Sequence, residues 1–290
     1  MEYQALRTFV AVVEEKNFTR AGERLNLSQP AVSLHIKQLE TEFQAQLLDR
    51  SPKHLYVTVA GEILYKRAVQ ILNMYQKTQE ELFAHLHTVT GTLRIGASFT
   101  IGEYILPGMI AQFSKNYPDV DVQVMISNTE QVVKEVKLLQ CDIGLIEGQV
   151  QDQELAMHPF MNDEMVLAVP ITHRLAGKRN IQIDDLHDET WIVREEGSGT
   201  RVYTNHVIRS LGLRTDKLIT LGSNQAVTEA VIIGLGITVI SRWVVQRPLQ
   251  YGELACPTIQ EHTFPRMLSY IVPPHIERTR LLDAFVSKIL

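Results

Sequence analysis

Residues 25–43, LNLSQPAVSLHIKQLETEF, settle how the rest of the chain is read. Their spacing predicts a tight turn followed by a helix with two unlike faces. Ser28 stands at the N-cap position, where its hydroxyl accepts an orphan backbone N–H of the first turn. Pro30 falls inside that turn, where a missing N–H costs nothing. Val32, Ile36, Leu39 and Phe43 recur at helical spacing as one apolar stripe. Gln29, Pro30, Ser33, Leu34 and Lys37 lie off the stripe. Glutamine and serine hydrogen-bond to base edges and small apolar groups touch a thymine methyl, so such a face suits a DNA groove. An ordinary amphipathic surface helix is the alternative, and the neighbouring sequence decides between them.

Upstream, Leu6, Phe9, Val10 and Val13 mark a first helix, and Phe18 to Leu25 a short second one, with small Ala21 and Gly22 permitting close helix approach. Asn26-Leu27-Ser28 has the length of a helix-turn-helix turn. Downstream, Leu47 to Thr58 reads as two short strands around a proline turn, a wing that carries Arg50 and Lys53. From Ala60 to about Thr88 a helix is expected. Its Leu64, Ala68, Ile71, Tyr75, Thr78, Leu82 and His85 form a heptad seam. A lone helix cannot bury that seam, which implies pairing with a second copy or packing on the protein's own body.

The ordered set Phe18-Thr19-Arg20-Ala21, Leu27 to Ser33, Ile36 to Glu40, Leu47-Leu48-Asp49-Arg50 and Val57 to Gly61 resembles the winged helix-turn-helix of LysR-type transcriptional regulators. The resemblance implies that Gln29, Pro30 and Ser33 meet bases or sugars. It implies that Thr19, Arg20, Ser28, Lys37, Arg50, Lys53 and Thr58 meet the phosphate backbone of promoter DNA. It also implies a homodimer or homotetramer that activates or represses. Leu34 stands where many members have arginine, which bears on base preference, and Leu48 replaces a usual phenylalanine.

After Gly91 strands and helices alternate. Strands are expected at Thr92–Ala97, Val120–Ile126 and Cys141–Ile146, with helices at Tyr104–Lys115 and Thr129–Leu139, a βαβαβ order that implies a parallel sheet. Glu164–Val169 is expected to cross into a second lobe. That lobe has strands near Trp191–Val193, Lys217–Leu221 and Ile237–Ile240 and helices near Arg201–Ser210 and Gln225–Ile233. Leu268–Val272 crosses back, and Arg278–Ile289 closes the first lobe. Two lobes with two crossings resemble the periplasmic-binding-protein-like effector domain of the same family. The expected architecture is thus α/β multidomain: a winged helix-turn-helix at 1–60, a linker helix at 61–90, and an effector domain at 91–290. Within it lobe 1 takes 91–163 and 266–290, and lobe 2 takes 164–265.

Three strand-to-helix junctions share one chemistry: Ser98-Phe99-Thr100, Gly197-Ser198-Gly199-Thr200 and Ser223-Asn224-Gln225. In open α/β sheets such junctions are where ligands bind, and hydroxyls beside helix N-termini favour a small anion. Taken singly, each is a plain N-cap. Thr129 and Glu147 are placed to line the same cleft, Glu147 and Glu195 opposing an anion unless they point away or bond its neutral groups. The expected effector is a small carboxylate, phosphate or sulfur oxyanion. The runs Ser98 to Glu103 and Glu195 to Arg201 resemble the branch that contains sulfur-assimilation and carbon-fixation regulators.

The totals narrow the class further. The 290 residues are 45% hydrophobic and 21% charged, which fits a cytosolic globular protein. No apolar run approaches the roughly 20 residues of a membrane span. Residues 1–90 hold ten basic and ten acidic residues, so the whole net charge of −5 lies in the remainder. Phosphate contacts must therefore come from local groups such as Lys16, Arg20 and Arg24. Cys141 and Cys256 lack metal spacing and read as reduced structural thiols. Gly234-Leu-Gly236 lacks a dinucleotide loop's third glycine, and the Gly197–Thr200 run lacks a P-loop lysine. The ten histidines show no HExxH, and Ser198 has no base. No cofactor, metal or catalytic residue is expected. A metabolite-binding or transport-type module whose N-terminal helices serve only protein association is the competing class.

Overall fold

The computed structural model describes residues 2–50, 55–84, 90–150, 152, 154–178, 180–215, 217–260, 262–273 and 279–289. The chain divides into two compact units, Met1–His87 with Leu138–Gln140, and Thr88–Lys137 with Cys141–Leu290.

The first unit contains α1 (Tyr3–Glu15), α2 (Phe18–Leu25), α3 (Gln29–Glu42), β1 (Leu48–Arg50), β2 (Leu55–Val57) and α4 (Val59–Ala84). The Asn17 side chain accepts the Thr19 and Arg20 N–H groups and starts α2, which Asn26 ends in the left-handed region at φ 55°. Ser28 then caps α3 by accepting the Ala31 N–H. The turn is tight because Gly22 has no side chain: a Cβ there would stand 2.7 Å from the Leu27 carbonyl oxygen. Val32, Ile36 and Leu39 are buried against Leu6, Phe9, Val12 and Ala21. Phe43 departs from the expected stripe, since α3 ends at Glu42 and Phe43 is its exposed C-cap. The two wing strands pair antiparallel, Leu48 with Val57 and Arg50 with Leu55. Glu40 Oε1 accepts the N–H groups of Leu47 (2.9 Å) and Leu48 (3.3 Å), which fixes α3 against the wing. The heptad seam divides: Leu64 and Ala68 pack into this unit's own core, whereas Ile71, Tyr75 and Leu82 are exposed. His85, the Arg50 side chain and the wing tip with Lys53 lie outside the described residues.

The second unit opens with β3 (Gly91–Ser98), a π-helical turn (Ile101–Ile105), α5 (Leu106–Asn116), β4 (Val120–Ser127), α6 (Thr129–Lys137) and β5 (Ile143–Glu147). Strand β3 pairs parallel with both β4 and β5. The helix expected from Tyr104 begins instead at Leu106. Pro107 has no N–H to carry the α-ladder back through the preceding turn, which is π-helical. The chain continues through β6 (Ala156–Pro170), β7 (Asn180–Ile181), β8 (Thr190–Arg194), α7 (Gly199–Ser210), β9 (Lys217–Leu221), α8 (Asn224–Ile232), β10 (Thr238–Ser241) and α9 (Arg242–Gln250). It ends with β11 (Leu254–Ala255), β12 (Thr258–Ile259), β13 (Phe264–Val272) and α10 (Arg280–Ile289).

Strands β6 and β13 are the two crossings. They pair antiparallel from Met165–Phe264 to Ala156–Val272, so both begin earlier than the sequence reading placed them. The register shifts between Leu268 and Ser269, where Pro159 lies on the partner strand, and a bulge is where a sheet accommodates proline. Sheet order β10-β6-β13-β5-β3-β4 puts the crossings in the middle, with lobe 1 on one side and lobe 2 on the other. Lobe 2 adds the parallel β8–β9 pair. Phe113, Tyr270 and Phe285 anchor the first lobe's core. Trp191, Val207 and Val239 anchor the second.

Candidate functional sites

In the first unit, Thr19, Arg20, Ser28, Gln29, Pro30 and Lys37 are exposed and Ser33 is half-buried, with Leu34 exposed beside them. Thr19 and Arg20 lie in the first turn of α2, Gln29 and Pro30 in the first turn of α3, and Lys37 two turns further along α3. Two expected groups are engaged elsewhere. Thr58 Oγ1 is 2.7 Å from the Gln46 carbonyl, to which it donates, and it accepts the Gly61 N–H that starts α4. Arg24 donates to Glu14 at 2.6 Å and approaches Glu15 at 3.4 Å, so its charge is answered within the unit. A half-buried pair, Thr8 Oγ1 and His35 Nδ1 at 2.8 Å, fixes α3 on α1.

In the second unit the strand ends bring the three junctions together. Ser198 and Ser223 are N-caps, accepting the N–H groups of Arg201 (3.4 Å) and Ala226 (3.1 Å). At Gly199 the lobes approach closely: a Cβ there would stand 2.5 Å from the Glu147 carbonyl oxygen and 2.9 Å from Thr129 Oγ1. The hydroxyls of Ser98 and Thr129 are buried without a hydrogen-bond partner among the described residues. A buried hydroxyl left unpaired costs on the order of 1–3 kcal/mol, and each such group in a native fold asks for an explanation.

The remaining expected residues face one another. Glu147, buried at the end of β5, accepts the Thr100 N–H on Oε1 at 3.0 Å. On Oε2 it accepts the Thr200 hydroxyl at 2.8 Å and Arg266 Nη1 at 3.1 Å. Burial alone pushes this carboxyl up. The Arg266 guanidinium, with the Thr100 and Thr200 hydrogen bonds, outweighs burial and holds it below the ordinary carboxylate range. Arg266 is answered on its other side by buried Asp163, at 2.5 and 3.0 Å, and Asp163 accepts the Ser241 hydroxyl at 2.7 Å. Glu147 is therefore turned to protein donors rather than open to a ligand.

A second chain of contacts runs from Thr100 into lobe 2. Asn224 Nδ2 donates to Thr100 Oγ1 at 3.2 Å, and Arg194 Nη1 donates to Asn224 Oδ1 at 2.6 Å. The buried Arg194 also pairs with Glu195 at 2.7 Å and lies 4.4 Å over the Phe99 ring. Both glutamates that would oppose an anion are thus paired with arginines. Arg201 serves the scaffold, donating to the Arg194 carbonyl at 2.9 Å. Arg194, Asp163 and Arg266 were missed by the sequence reading. Their signal was a charged residue inside or ending an apolar strand, Trp-Ile-Val-Arg and Phe-Pro-Arg-Met-Leu, which demands a buried counter-charge. Beside the cluster a cavity of about 770 Å³ opens between α6 and α7, lined by Thr129, Glu147, Gly197, Gly199, Tyr203, His206 and Arg266 among others.

A winged helix-turn-helix followed by a two-lobed α/β unit with a cavity beside its strand ends fits the class of DNA-binding regulators with an effector-binding domain. Residues 3–62 match the bacterial regulatory helix-turn-helix protein model of the lysR family. Residues 87–290 match the LysR substrate binding domain. The chain is 52% identical over 289 residues to the HTH-type transcriptional regulator CysL of Bacillus subtilis (strain 168), covering 100% of this chain and 97% of that protein. It is 32% identical over 291 residues to a probable RuBisCO transcriptional regulator of Synechocystis sp., covering 98% and 84%. Among solved structures, the regulatory domain of CcmR from Synechocystis PCC6803, in complex with 2-PG, matches at 27% identity with a TM-score of 0.65, covering 69% of this chain and 96% of that one. The chain belongs to the LysR family: it is a DNA-binding transcriptional regulator with an effector-binding domain. CysL and the RuBisCO regulator stand for the branch that the loop sequences resemble.

Proposed function

We propose that this regulator is a cytoplasmic homo-oligomer controlled by a small carboxylate, phosphate or sulfur oxyanion held between its two C-terminal lobes. Residues 1–60 bind promoter DNA, 61–90 pair two copies, and 91–290 bind the effector. The observation that carries the effector reading is the pair of buried hydroxyls, Ser98 and Thr129, at the carboxyl ends of the sheet, which have no hydrogen-bond partner among the described residues. The N-terminal dipoles of α7 and α8 supply a favourable field. That a related regulatory domain is solved with 2-PG supports the same chemistry.

On the DNA side, Gln29, Pro30 and Ser33 read bases or sugars. Thr19, Arg20, Ser28, Lys37, Arg50 and Lys53 hold phosphates, and Thr58 positions the wing that carries the last two. Paired copies place two α3 helices about 34–36 Å apart, or a multiple of that, on successive major grooves. Footprinting with wild type and with Gln29→Ala/Ser33→Ala tests this half. The double variant should lose a protected inverted repeat and keep its oligomeric state. If no operator is protected by wild type at moderate salt, the association-module reading takes its place. Calorimetry against a metabolite panel, with Thr129→Val as control, tests the effector half, and equal affinity in the variant would exclude Thr129 from the site.

A further inference from the structure

The groups closing on Glu147 are a complete oxyanion cage. Thr100 contributes its N–H from lobe 1, Thr200 its hydroxyl from lobe 2, and Arg266 a guanidinium N–H from the crossing strand. Asn224 donates to the Thr100 oxygen, which leaves the Thr100 proton free to point at the carboxylate. A carboxylate, phosphate or sulfate entering from outside would need these same donors. Glu147 already fills them, and with Asp163 on the far side of Arg266 the cluster carries one net negative charge.

We propose that Glu147 is the built-in occupant of the effector's anion cage, competing for its donors and yielding when an effector's acid group enters. This rests on the reading of the interlobe cleft as the effector site. A tethered carboxylate competes at an effective concentration of roughly millimolar or above, so a bare oxyanion binds wild type weakly. An effector must gain further contacts, for which the Ser98 and Thr129 hydroxyls, without a partner among the described residues, are available. The cage survives the exchange because Asp163 keeps Arg266 neutralised. The displaced side chain has room in the adjoining cavity, which Glu147 itself lines. Glu147 stands on lobe 1 and grips Thr200 on lobe 2, so its release loosens a lobe-to-lobe contact and couples occupancy to lobe geometry.

The test titrates full-length wild type, Glu147→Ala and Glu147→Gln with sodium sulfate by calorimetry, at ionic strength held constant with sodium chloride. Glu147→Ala should bind sulfate at least about tenfold tighter than wild type, and adding Thr200→Val should abolish the gain. Glu147→Gln keeps the side-chain volume without the charge, should give a smaller gain, and serves if the alanine variant folds poorly. Equal sulfate affinity in all three proteins overturns the proposal, as does tightest binding by wild type. A sulfate gain in the variants, with wild type deaf to every organic and inorganic anion of the panel, supports the competition and sinks the anionic-effector reading instead.

Discussion

Gly199 shows how much a single residue decides here. Its position between the lobes is set by atoms that cannot give way, the Glu147 carbonyl and Cβ at 2.5 and 2.8 Å from any added methyl. Gly199→Ala should therefore destabilise the effector domain by about 2 kcal/mol, the usual cost of forcing a methyl into a packed site. Denaturant unfolding of the two proteins measures this, and an unchanged midpoint would mean that the lobes part freely. Cys256 makes a second prediction at this scale. Burial pushes its thiol up to about 11, so at pH near 8 only about one molecule in a thousand carries the reactive thiolate. A thiol reagent should label Cys256 far more slowly in native than in denatured protein, and rapid native labelling would contradict its structural role. Single residues were also where the sequence was most and least legible. Ser28, Ser198 and Ser223 declared themselves as caps by position alone. Whether Thr100 and Thr200 face a ligand or Glu147 could not be read, because their partners are 47 and 53 residues away along the chain.

At the scale of elements, periodicity found what was amphipathic and missed what was punctuated by proline. The three N-terminal helices and the parallel β3–β4–β5 arrangement follow directly from apolar spacing. Helix α9 was overlooked because Pro248 lies inside it, yet Ser241 caps its start, accepting the Trp243 N–H at 3.2 Å. The first half of β6 was overlooked because Pro159 reads as a breaker until the bulge opposite it is known. Helix α4 is the element whose sequence most clearly asks for a partner. Tyr75 is 50% and Leu82 67% exposed on the stripe that the heptad assigns to pairing. Tyr75→Glu with Leu82→Glu should reduce the oligomer to a smaller species in light scattering, because each buries a charge at an apolar seam. Circular dichroism should stay near wild type, since neither side chain belongs to the first unit's core. An unaltered mass would move the assembly surface elsewhere.

At the scale of the molecule, the C-terminal unit is held by one charged path through its centre: Glu147, Thr200, Arg266, Asp163 and Ser241, drawn from β5, α7, β13, β6 and β10. Both crossing strands contribute to it, so the place where the lobes are joined is also the place where the cleft is charged. Arg266 keeps Asp163 as a counter-charge when Glu147 is replaced, but the buried donors of Thr100, Thr200 and Arg266 lose a charged acceptor, a loss of about 1–3 kcal/mol. Near pH 7 Glu147→Gln should therefore be less stable than wild type by roughly that amount, as this carboxyl is fully buried. The pH dependence has a definite sign. Glu147 is held below the ordinary carboxylate range in the folded protein. Its contribution is then complete above the unfolded value of about 4.3 and is lost as pH falls through the lower folded value. Wild type and Glu147→Gln should thus differ by the same amount at neutral and mildly acidic pH, and converge only in stronger acid, when the wild-type carboxyl takes up its proton. Guanidinium unfolding of both proteins across that range reads the gap directly. A gap that closed between neutral pH and pH near 5 would show a raised carboxyl, a Glu147 without its Arg266 partner, and a cleft whose centre is not yet filled.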